Sequence, residues 1–383
     1  MKNTVLNKPM ISMDANIIKE NNETIIIMIK NNIIRIKGKN LSLFFDTILN
    51  LLNGQNTIEE IIRKTHNLMP KESLLKLLDT LQDFYLIEEA DSDRFSKDQI
   101  IQYYAPLGYY SRWGKDKFDI LKTINSKKVC IIGLNNLAFK VSKLISTIGI
   151  GEIILIDDTA VLTEDIGNEF YLKDIGKSRA EVVNNQLRLM NPLCKTKIAR
   201  SNKIEDMIDY ADLSIVLATF DFENFLWPKE VNKISLLKRT PWIYGAVQKN
   251  GEGIVGPLFI PFETACYECM TIRIKSNSCM FEELEMYERR IREHDTVDSK
   301  IFFQPHIDII AGVIVNEIWA YFSELSHVNI INQFYLFDMK KLSLEPHYIL
   351  KVPRCSFCSR ITMKPIQKIW NDDIIEINRM LID

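Results

Sequence analysis

Two pairs of cysteines carry the strongest chemical signal in the sequence. Cys266 and Cys269 form one C-x-x-C pair, and Cys355 and Cys358 form a second pair far along the chain. Four thiolates make the tetrahedral set that zinc takes in structural sites, and such a set leaves no open position for a substrate. The spacing therefore predicts one structural zinc ion per chain, which would join two remote segments and contribute to folding. The alternative is two unrelated pairs of buried thiols.

A strand–turn–helix pattern at Gly133 has the form of a nucleotide site. Such turns use glycines so that backbone N–H groups can reach phosphate oxygens at the N-terminus of the helix. Here only Gly133 is present, and Asn135 stands where a phosphate oxygen should lie. Asp157 ends the next strand, where a ribose-binding acid belongs. We predict a nucleotide site with a degenerate phosphate turn; a working site with an unusual loop is the alternative.

Composition limits the classes of protein to which these motifs can belong. The 383 residues are 46% hydrophobic and 26% charged, which indicates two or three folded domains. Lys and Arg total 48 and Asp and Glu total 50, so the net charge of −2 argues against a dedicated nucleic-acid binder. Because the sequence shows neither a signal-peptide core nor an uninterrupted apolar span, we expect a cytoplasmic protein with no membrane segment.

The patterning divides the chain into three parts. Residues 1–90 hold short isoleucine-rich strands followed by amphipathic helices, which predicts a small α+β winged-helix domain. Residues 91–126 are polar and aromatic and are predicted to be a connecting arm. In residues 127–383 strands alternate with helices, which predicts an α/β domain whose parallel sheet is covered on both faces.

The N-terminal domain has recognisable boundaries between its elements. Thr57 followed by Glu60 has the spacing of a helix capping box. The third helix is predicted to run from Lys71 to Ile87, because leucines recur there at helical spacing. The predicted elements are strands over 10–13, 24–30 and 32–37, and helices that start at Ser42, Thr57 and Lys71.

The region from about Arg94 to Ser359 resembles the ThiF-like, ubiquitin-activating-type adenylation family. The resemblance is carried by KKVCIIGLNNLAF, EIILIDDTAV, ADLSIVLATFD, the block from Asp174 to Pro192, and both cysteine pairs. Residues 1–90 are similar to the PqqD-like module that recognises precursor peptides, notably in LLNGQNTIEEI. The combination resembles the leader-peptide-binding (Ocin-ThiF-like) proteins of thiazole/oxazole-modified peptide biosynthesis. It implies a Rossmann-type adenylation fold with structural zinc, preceded by a PqqD-like domain.

The sequence departs from active members of that family around the phosphates of the nucleotide. The family's arginine aligns with Asn168 and its asparagine with Asp165, an acid that is expected to repel phosphate. The metal-binding aspartate expected after the third strand falls at Phe220, whereas Lys177 matches the family's nucleotide-contacting lysine. These losses imply a pseudo-enzyme that does not bind ATP.

The third predicted strand is the candidate edge for peptide binding. Modules of this kind bind an extended peptide by adding a strand to a free sheet edge, and we expect the N–H of Ile34 to face that edge. Two basic residues on the strand would suit an acidic leader. A DNA-binding winged helix is the alternative, although acids interrupt any basic face. The residues predicted to bind the leader are Ile33, Ile34, Arg35, Ile36 and Lys37 on the strand, and Leu75, Leu78 and Phe84 on the third helix.

The sequence thus predicts a non-catalytic protein that binds the leader of a ribosomal precursor peptide. Following the resemblance, it would deliver the peptide to a separate YcaO-type cyclodehydratase, which makes thiazoline and oxazoline rings. The resemblance also implies a homodimer. The alternative function is an ATP-dependent adenylating enzyme that acts on the C-terminus of a peptide or carrier protein, and a DNA-binding regulator is a third.

Overall fold

The structure, a computed structural model, describes most of the chain. For residues 32, 42–45 and 218–219 it describes the backbone alone. The predicted positions Asn168 and Phe220 lie outside the described residues. The described ranges are 6–13, 15–29, 32–38, 41–90, 95–113, 115–167, 169–219, 227–248, 250–277, 282–283, 286 and 303–359.

The N-terminal part combines two small antiparallel sheets with three helices. The three-stranded sheet has the order β2–β3–β4, and β1 pairs with β5 in a separate ribbon. Isoleucines on alternate positions of β3 and leucines of the third helix share one apolar core. The sequence pattern predicts neither β2 nor β5. The elements are β1 (Pro9–Ile11), β2 (Asn16–Asn21), β3 (Thr24–Ile29), β4 (Asn32–Lys37), α1 (Leu41–Leu51), α2 (Ile58–Thr65), α3 (Lys71–Asp83) and β5 (Ile87–Glu89).

The boundaries of these helices agree with the sequence in one case and differ in two. The capping box of α2 is confirmed: the Glu60 N–H donates to Thr57 Oγ1 at 3.2 Å, and the Thr57 N–H donates to the Glu60 carboxylate at 2.8 Å. Helix α1 begins at Leu41, so Ser42 lies inside it and is not its N-cap. Helix α3 ends at Asp83, because Tyr85 has a left-handed backbone (φ 59°) and Ile87 enters β5.

The segment predicted to be a connecting arm is helical and belongs to the main core. It forms α4 (Lys97–Gln102), α5 (Tyr104–Tyr110) and α6 (Lys117–Asn125). Leu107 and Leu121 are fully buried in the same apolar cluster as the central sheet. The prediction of a connecting arm with some helix stays a prediction, but the sequence did not indicate that the aromatic residues of this segment pack inward.

The remaining described residues build an eight-stranded mixed sheet of order β13–β12–β11–β10–β9–β6–β7–β8. The five strands from β10 to β8 are parallel, as the alternating pattern predicts, whereas β11, β12 and β13 are added antiparallel. The strands are β6 (Lys128–Ile132), β7 (Glu152–Ile156), β8 (Lys195–Ala199), β9 (Leu213–Thr219), β10 (Trp242–Val247), β11 (Glu252–Phe259), β12 (Gln333–Asp338) and β13 (Ser343–Tyr348).

Helices cover both faces of this sheet. One face packs against α7, α8 and α12, and the other packs against α9, α10 and α11. No helix among the described residues is long and apolar enough to span a bilayer. The helices are α7 (Asn136–Thr147), α8 (Arg179–Met190), α9 (Ile204–Tyr210), α10 (Trp227–Lys238), α11 (Tyr267–Ser276) and α12 (Gln304–Ser323).

The order of the strands creates a crevice at the carboxyl ends of β6 and β9. From β6 the chain proceeds outward to β7 and β8, and it then returns to place β9 on the other side of β6. Open α/β sheets bind their ligands at such a switch point. The turn after β6, at Gly133, therefore lies where a nucleotide would be bound.

Candidate functional site

The structure brings the four predicted cysteines together. The sulfur of Cys266 lies 3.8 Å from that of Cys269 and 3.7 Å from that of Cys355, and the sulfurs of Cys269 and Cys358 are 3.6 Å apart. All four sulfurs lie within 4.8 Å of one another. Zinc–sulfur bonds of about 2.3 Å in a tetrahedron place the sulfurs roughly 3.8 Å apart, so the cluster fits a metal ion such as zinc.

Local structure holds the two cysteine pairs against each other. Cys266 immediately precedes α11, and the N–H of Val352 donates to the sulfur of Cys269 at 3.3 Å. The guanidinium of Arg273 on α11 donates to the carbonyls of Leu350 (2.6 Å) and Lys351 (3.0 Å), which lead into the second pair. The cluster therefore joins α11 to the chain that follows β13.

Hydrogen bonds favour a thiolate at one of these cysteines. The thiols of Cys266 and Cys358, together with the N–H of Val352, hold the pKa of Cys269 well below its usual range. By contrast, burial raises the pKa of Cys194 to about 12 and also raises that of Cys130. Metal-binding chemistry is thus concentrated in the four-cysteine cluster, while Cys130 and Cys194 are core thiols.

The phosphate turn is filled by its own side chains. Asn135 is 1% exposed; its side chain accepts a hydrogen bond from the N–H of Ala138 at 2.9 Å and donates to the carbonyl of Leu217 at 2.7 Å. The amide therefore caps α7 and crosses the crevice between β6 and β9. Ala138 contributes one of the N–H groups that a bound phosphate would use, so this part of the cradle is already occupied.

The acid predicted to bind ribose is also engaged within the chain. One oxygen of Asp157 accepts the N–H of Leu134 at 2.6 Å, and the other accepts both the N–H and the hydroxyl of Thr159 at 2.7 and 2.6 Å. Asp157 is 9% exposed. It therefore acts as a brace between β7 and the turn after β6, and it presents little free surface to a sugar.

A buried ion pair lies beside this brace. The Arg179 guanidinium, 1% exposed, binds both oxygens of Asp165 at 2.7–3.0 Å and donates to Thr159 Oγ1 at 3.0 Å. The expectation that Asp165 would repel phosphate needs correction, because its charge is already paired. The sequence analysis missed Arg179, although a basic residue in the first turn of a helix opposes the helix dipole and indicates a specific partner.

Lys177 lies apart from that network. Its side chain is 53% exposed, and its ammonium lies 3.1 Å from the carboxylate of Asp174. Burial raises the pKa of Asp174, but the N–H of Tyr171 and the ammonium of Lys177 outweigh it and keep that pKa below its ordinary value. Arg179, in contrast, reaches the carboxyl end of β7 through its hydrogen bond to Thr159.

Strand β4 lies at the edge of the N-terminal sheet. The N–H of Gly38 donates to the carbonyl of Glu23, and the register continues regularly along β3. Because bonding alternates along an antiparallel pair, even-numbered residues of β4 bond to β3 and odd-numbered ones face the free edge. The N–H of Ile34 therefore points into the sheet, contrary to expectation, and Ile33, Arg35 and Lys37 offer the outward groups.

The side chains predicted to bind the leader are divided among three environments. Ile34 and Ile36 are half-buried against the helices, whereas the side chains of Ile33 (69% exposed), Arg35 and Lys37 lie on the open face. Leu78 is 4% exposed and belongs to the core, so its side chain is not available to a ligand. Leu75 is half-buried and Phe84 is 49% exposed, which leaves these two for an apolar wall.

Comparison with known proteins identifies the larger part of the chain. A model of the ThiF family matches residues 107–357. A stretch of 82 residues is 34% identical to the NEDD8-activating enzyme E1 regulatory subunit of Caenorhabditis elegans; it covers 21% of this chain and only 15% of that protein.

Several solved structures share the fold across nearly the whole chain. E. coli MccB with ATP superposes with a TM-score of 0.60 at 17% identity, covering 92% of this chain and 99% of that one. The Microcin C7 biosynthetic enzyme MccB in complex with N-formylated MccA gives 0.61 at 18% identity, with the same coverage. PaaA gives 0.61 at 15% identity and covers 88% of this chain and 99% of its own. At these identities the likeness concerns the fold.

The cysteine cluster predicts a metal content of one ion per chain. Cys266→Ser or Cys355→Ser should lose the ion and lower the melting temperature, because the metal joins two remote segments. Elemental analysis and thermal denaturation measure both effects. Cys194→Ala, a buried thiol outside the cluster, should retain the full metal content; a loss of metal there would contradict the assignment.

Two substitutions that each remove a charge should lower the free energy of unfolding by different amounts, because one breaks a buried ion pair and the other an exposed one. Asp165→Asn breaks the buried ion pair with the Arg179 guanidinium and should lower the free energy of unfolding by about 3 kcal/mol or more. Lys177→Gln removes an exposed partner and should change it by less than about 1 kcal/mol. Urea denaturation measures both values, and equal effects would show that Asp165 is not the sole compensation for the arginine.

Proposed function

The chain belongs to the ThiF family, and from that premise we propose that it is a non-catalytic member that binds the leader of a ribosomal precursor peptide. It would deliver that peptide to a separate YcaO-type cyclodehydratase and activate it, so that Cys, Ser or Thr residues are converted to thiazolines or oxazolines. ATP would be used by that partner enzyme.

The observation that carries the proposal is the occupied turn after β6. Asn135 accepts from the N–H of Ala138 and donates to the carbonyl of Leu217, while both oxygens of Asp157 accept hydrogen bonds from Leu134 and Thr159. A nucleotide would have to break buried hydrogen bonds that the chain makes to itself, and each broken bond that leaves a group unpaired costs about 1–3 kcal/mol. Without a bound nucleotide, the protein would act by binding its partners.

Strand β4 supports the peptide as the ligand. It is an edge strand whose odd-numbered residues present backbone groups outward, as strand addition requires. Arg35 and Lys37 are exposed beside this edge and would favour an acidic leader. Phe84 and Leu75 offer apolar surface on α3 for alternate side chains of the added strand.

The structural relatives support a peptide partner as well. MccB has been described in complex with N-formylated MccA and with ATP, so this fold accommodates a peptide in one of its members. By analogy, residues 1–90 would form a PqqD-like recognition domain, residues 91–126 would connect it, and residues 127–383 would form the ThiF-like domain. We further propose a cytoplasmic homodimer that binds neither nucleic acid nor membrane.

The four cysteines would hold a zinc ion in a purely structural role. Cys266, Cys269, Cys355 and Cys358 complete a tetrahedral set, so no position is left for a substrate. The ion would supply rigidity by fixing the segment after β13 to α11. No step of peptide binding passes through it.

The alternative function, adenylation of a peptide or carrier C-terminus, is favoured by one observation. The crevice between β6 and β9 retains Asp157 at the end of β7, the position where nucleotide-binding sheets of this kind carry an acid. In this alternative the side chain of Asn135 would swing out when ATP binds. The two functions differ in whether the turn after β6 can open to admit ATP.

If the leader binds by strand addition, an outward N–H of β4 should contribute to its affinity. Arg35→Pro removes a backbone donor from the free edge of β4 and should weaken leader binding roughly tenfold. Fluorescence anisotropy with the labelled synthetic leader of a candidate precursor peptide measures the affinity. Ile34→Pro is unsuitable, because it would break the bond to β3.

Arg35→Ala is the matched control, since it removes the same charge and keeps the N–H. The loss beyond that of Arg35→Ala reports the backbone bond. If the two variants bind equally, strand addition at β4 is excluded. Unchanged melting temperatures and metal contents are required of both.

The occupied turn predicts that the metal-loaded protein shows no detectable heat of binding when titrated with Mg-ATP. Asn135 and Asp157 would each have to give up buried hydrogen bonds to make room for the nucleotide. E. coli MccB, for which a structure with ATP exists, is the positive control. Micromolar binding by this chain would overturn the non-catalytic assignment and make adenylation the leading function.

A further inference from the structure

A stripe of exposed apolar side chains runs along the last strand of the main sheet. Leu344 is 48% exposed, Tyr348 77% and Leu350 66%, and Pro346 between them is also exposed. These four alternate residues, here named the β13 stripe, lie on one face of the strand and of the residues that follow it. Contiguous apolar surface of this kind marks a site of interaction.

The β13 stripe continues a face that is covered further in. Leu344 is paired with Phe337 and Pro346 with Tyr335 across β12, so these four side chains share one face. Phe337 and Tyr335 pack against the cluster that contains the buried side of α12. Among the described residues no helix follows α12 outward over β13. The sheet therefore extends beyond its layer of helices, and this face of β13 is left uncovered beside α12.

The backbone edge of β13 is poorly suited to strand addition. The N–H of Ile349 donates to the carbonyl of Asn332 at 2.7 Å, so odd-numbered residues bond to β12 and even-numbered ones face outward. Pro346 stands at the centre of the outward positions and has no N–H to offer. Proline at an edge strand opposes pairing with another strand. An occupant must therefore contact the side chains of this face.

Both ends of the β13 stripe carry positive charge. Lys340 and Lys341 are exposed in the turn before β13, where Lys341 pairs with Asp338 at 3.2 Å and Lys340 adds a positive charge, and Lys351 and Arg354 are exposed just after Leu350. Glu345 lies on the opposite face of the strand. A second copy placed antiparallel would set lysines against lysines, which costs energy. Acidic residues at the two ends of an apolar partner would instead be complementary.

From these features we infer that the β13 stripe docks an amphipathic helix of a partner protein, with an apolar centre and acidic ends. From Leu344 to Leu350 the stripe spans about 20 Å at roughly 3.3 Å per residue, which a helix of about 13 residues would match. Such a helix would lie beside α12 and extend the helix layer that covers parallel sheets. The inference is independent of leader binding at β4.

The test uses the full chain and two labelled synthetic peptides of about 13 residues, the helix length that matches the stripe. Both carry the same leucines on one helical face, but one has glutamates and the other lysines at its ends. We expect the glutamate peptide to bind at least about tenfold more tightly at low salt, measured by fluorescence anisotropy. Leu344→Asp should weaken that binding about tenfold or more. His347→Asp adds the same charge on the opposite face and should leave it unchanged.

Four outcomes would overturn the inference. The first is that neither peptide binds, and the second is that both bind equally. The third is a dimer, seen by light scattering, that Leu344→Asp dissociates, which would assign the stripe to a second copy. The fourth is co-sedimentation with phosphatidylglycerol vesicles that Leu344→Asp abolishes, which would assign it to a lipid surface. Leu344 is half exposed, so its variant should keep the parent melting temperature.

Discussion

The buried guanidinium of Arg179 is the constraint around which the strand ends are organised. A charge that is 1% exposed must be matched within the chain, and Asp165 and Thr159 supply the match. Thr159 in turn binds Asp157, which braces Leu134 at the start of the turn after β6. One connected network therefore runs from α8 to the N-terminus of α7. In an active nucleotide site such groups would bind the ligand, whereas in this chain they bind one another.

The polar groups of the crevice are paired with one another, whereas open backbone groups lie at the edge of the N-terminal sheet. The crevice between β6 and β9 is bridged by Asn135, and the four-cysteine cluster is closed by its own geometry. The backbone of β4, by contrast, has odd-numbered groups that face outward from the sheet. A filled crevice beside an open peripheral strand accords with the proposed binding of a peptide chain. The ThiF fold would then serve as a rigid support.

The sequence predicts those features that depend on spacing and misses those that depend on packing. The cysteine cluster and the capping box at Thr57 follow from short, fixed intervals, and both are confirmed as geometry. The buried role of Leu78 and the inward packing of Leu107 could not be predicted, because amphipathic periodicity does not say which element will cover a face. Arg179 was missed for a related reason: its partner, Asp165, is distant in sequence and reaches it through the tertiary fold.

β4 and β13, two of the edge strands in the described part of the chain, differ in whether their outward backbone groups can pair, and the difference separates two modes of recognition. β4 carries no proline, and its outward positions at Ile33, Arg35 and Lys37 all retain N–H donors, so a peptide can be held through its backbone with limited demands on sequence. β13 has Pro346 at its centre and an apolar, positively charged face, so recognition there must depend on side chains. Backbone capture suits a substrate that varies in sequence. A side-chain surface suits one constant partner, and the proposed function, in which a variable peptide is joined to a fixed enzyme, would use one edge of each kind.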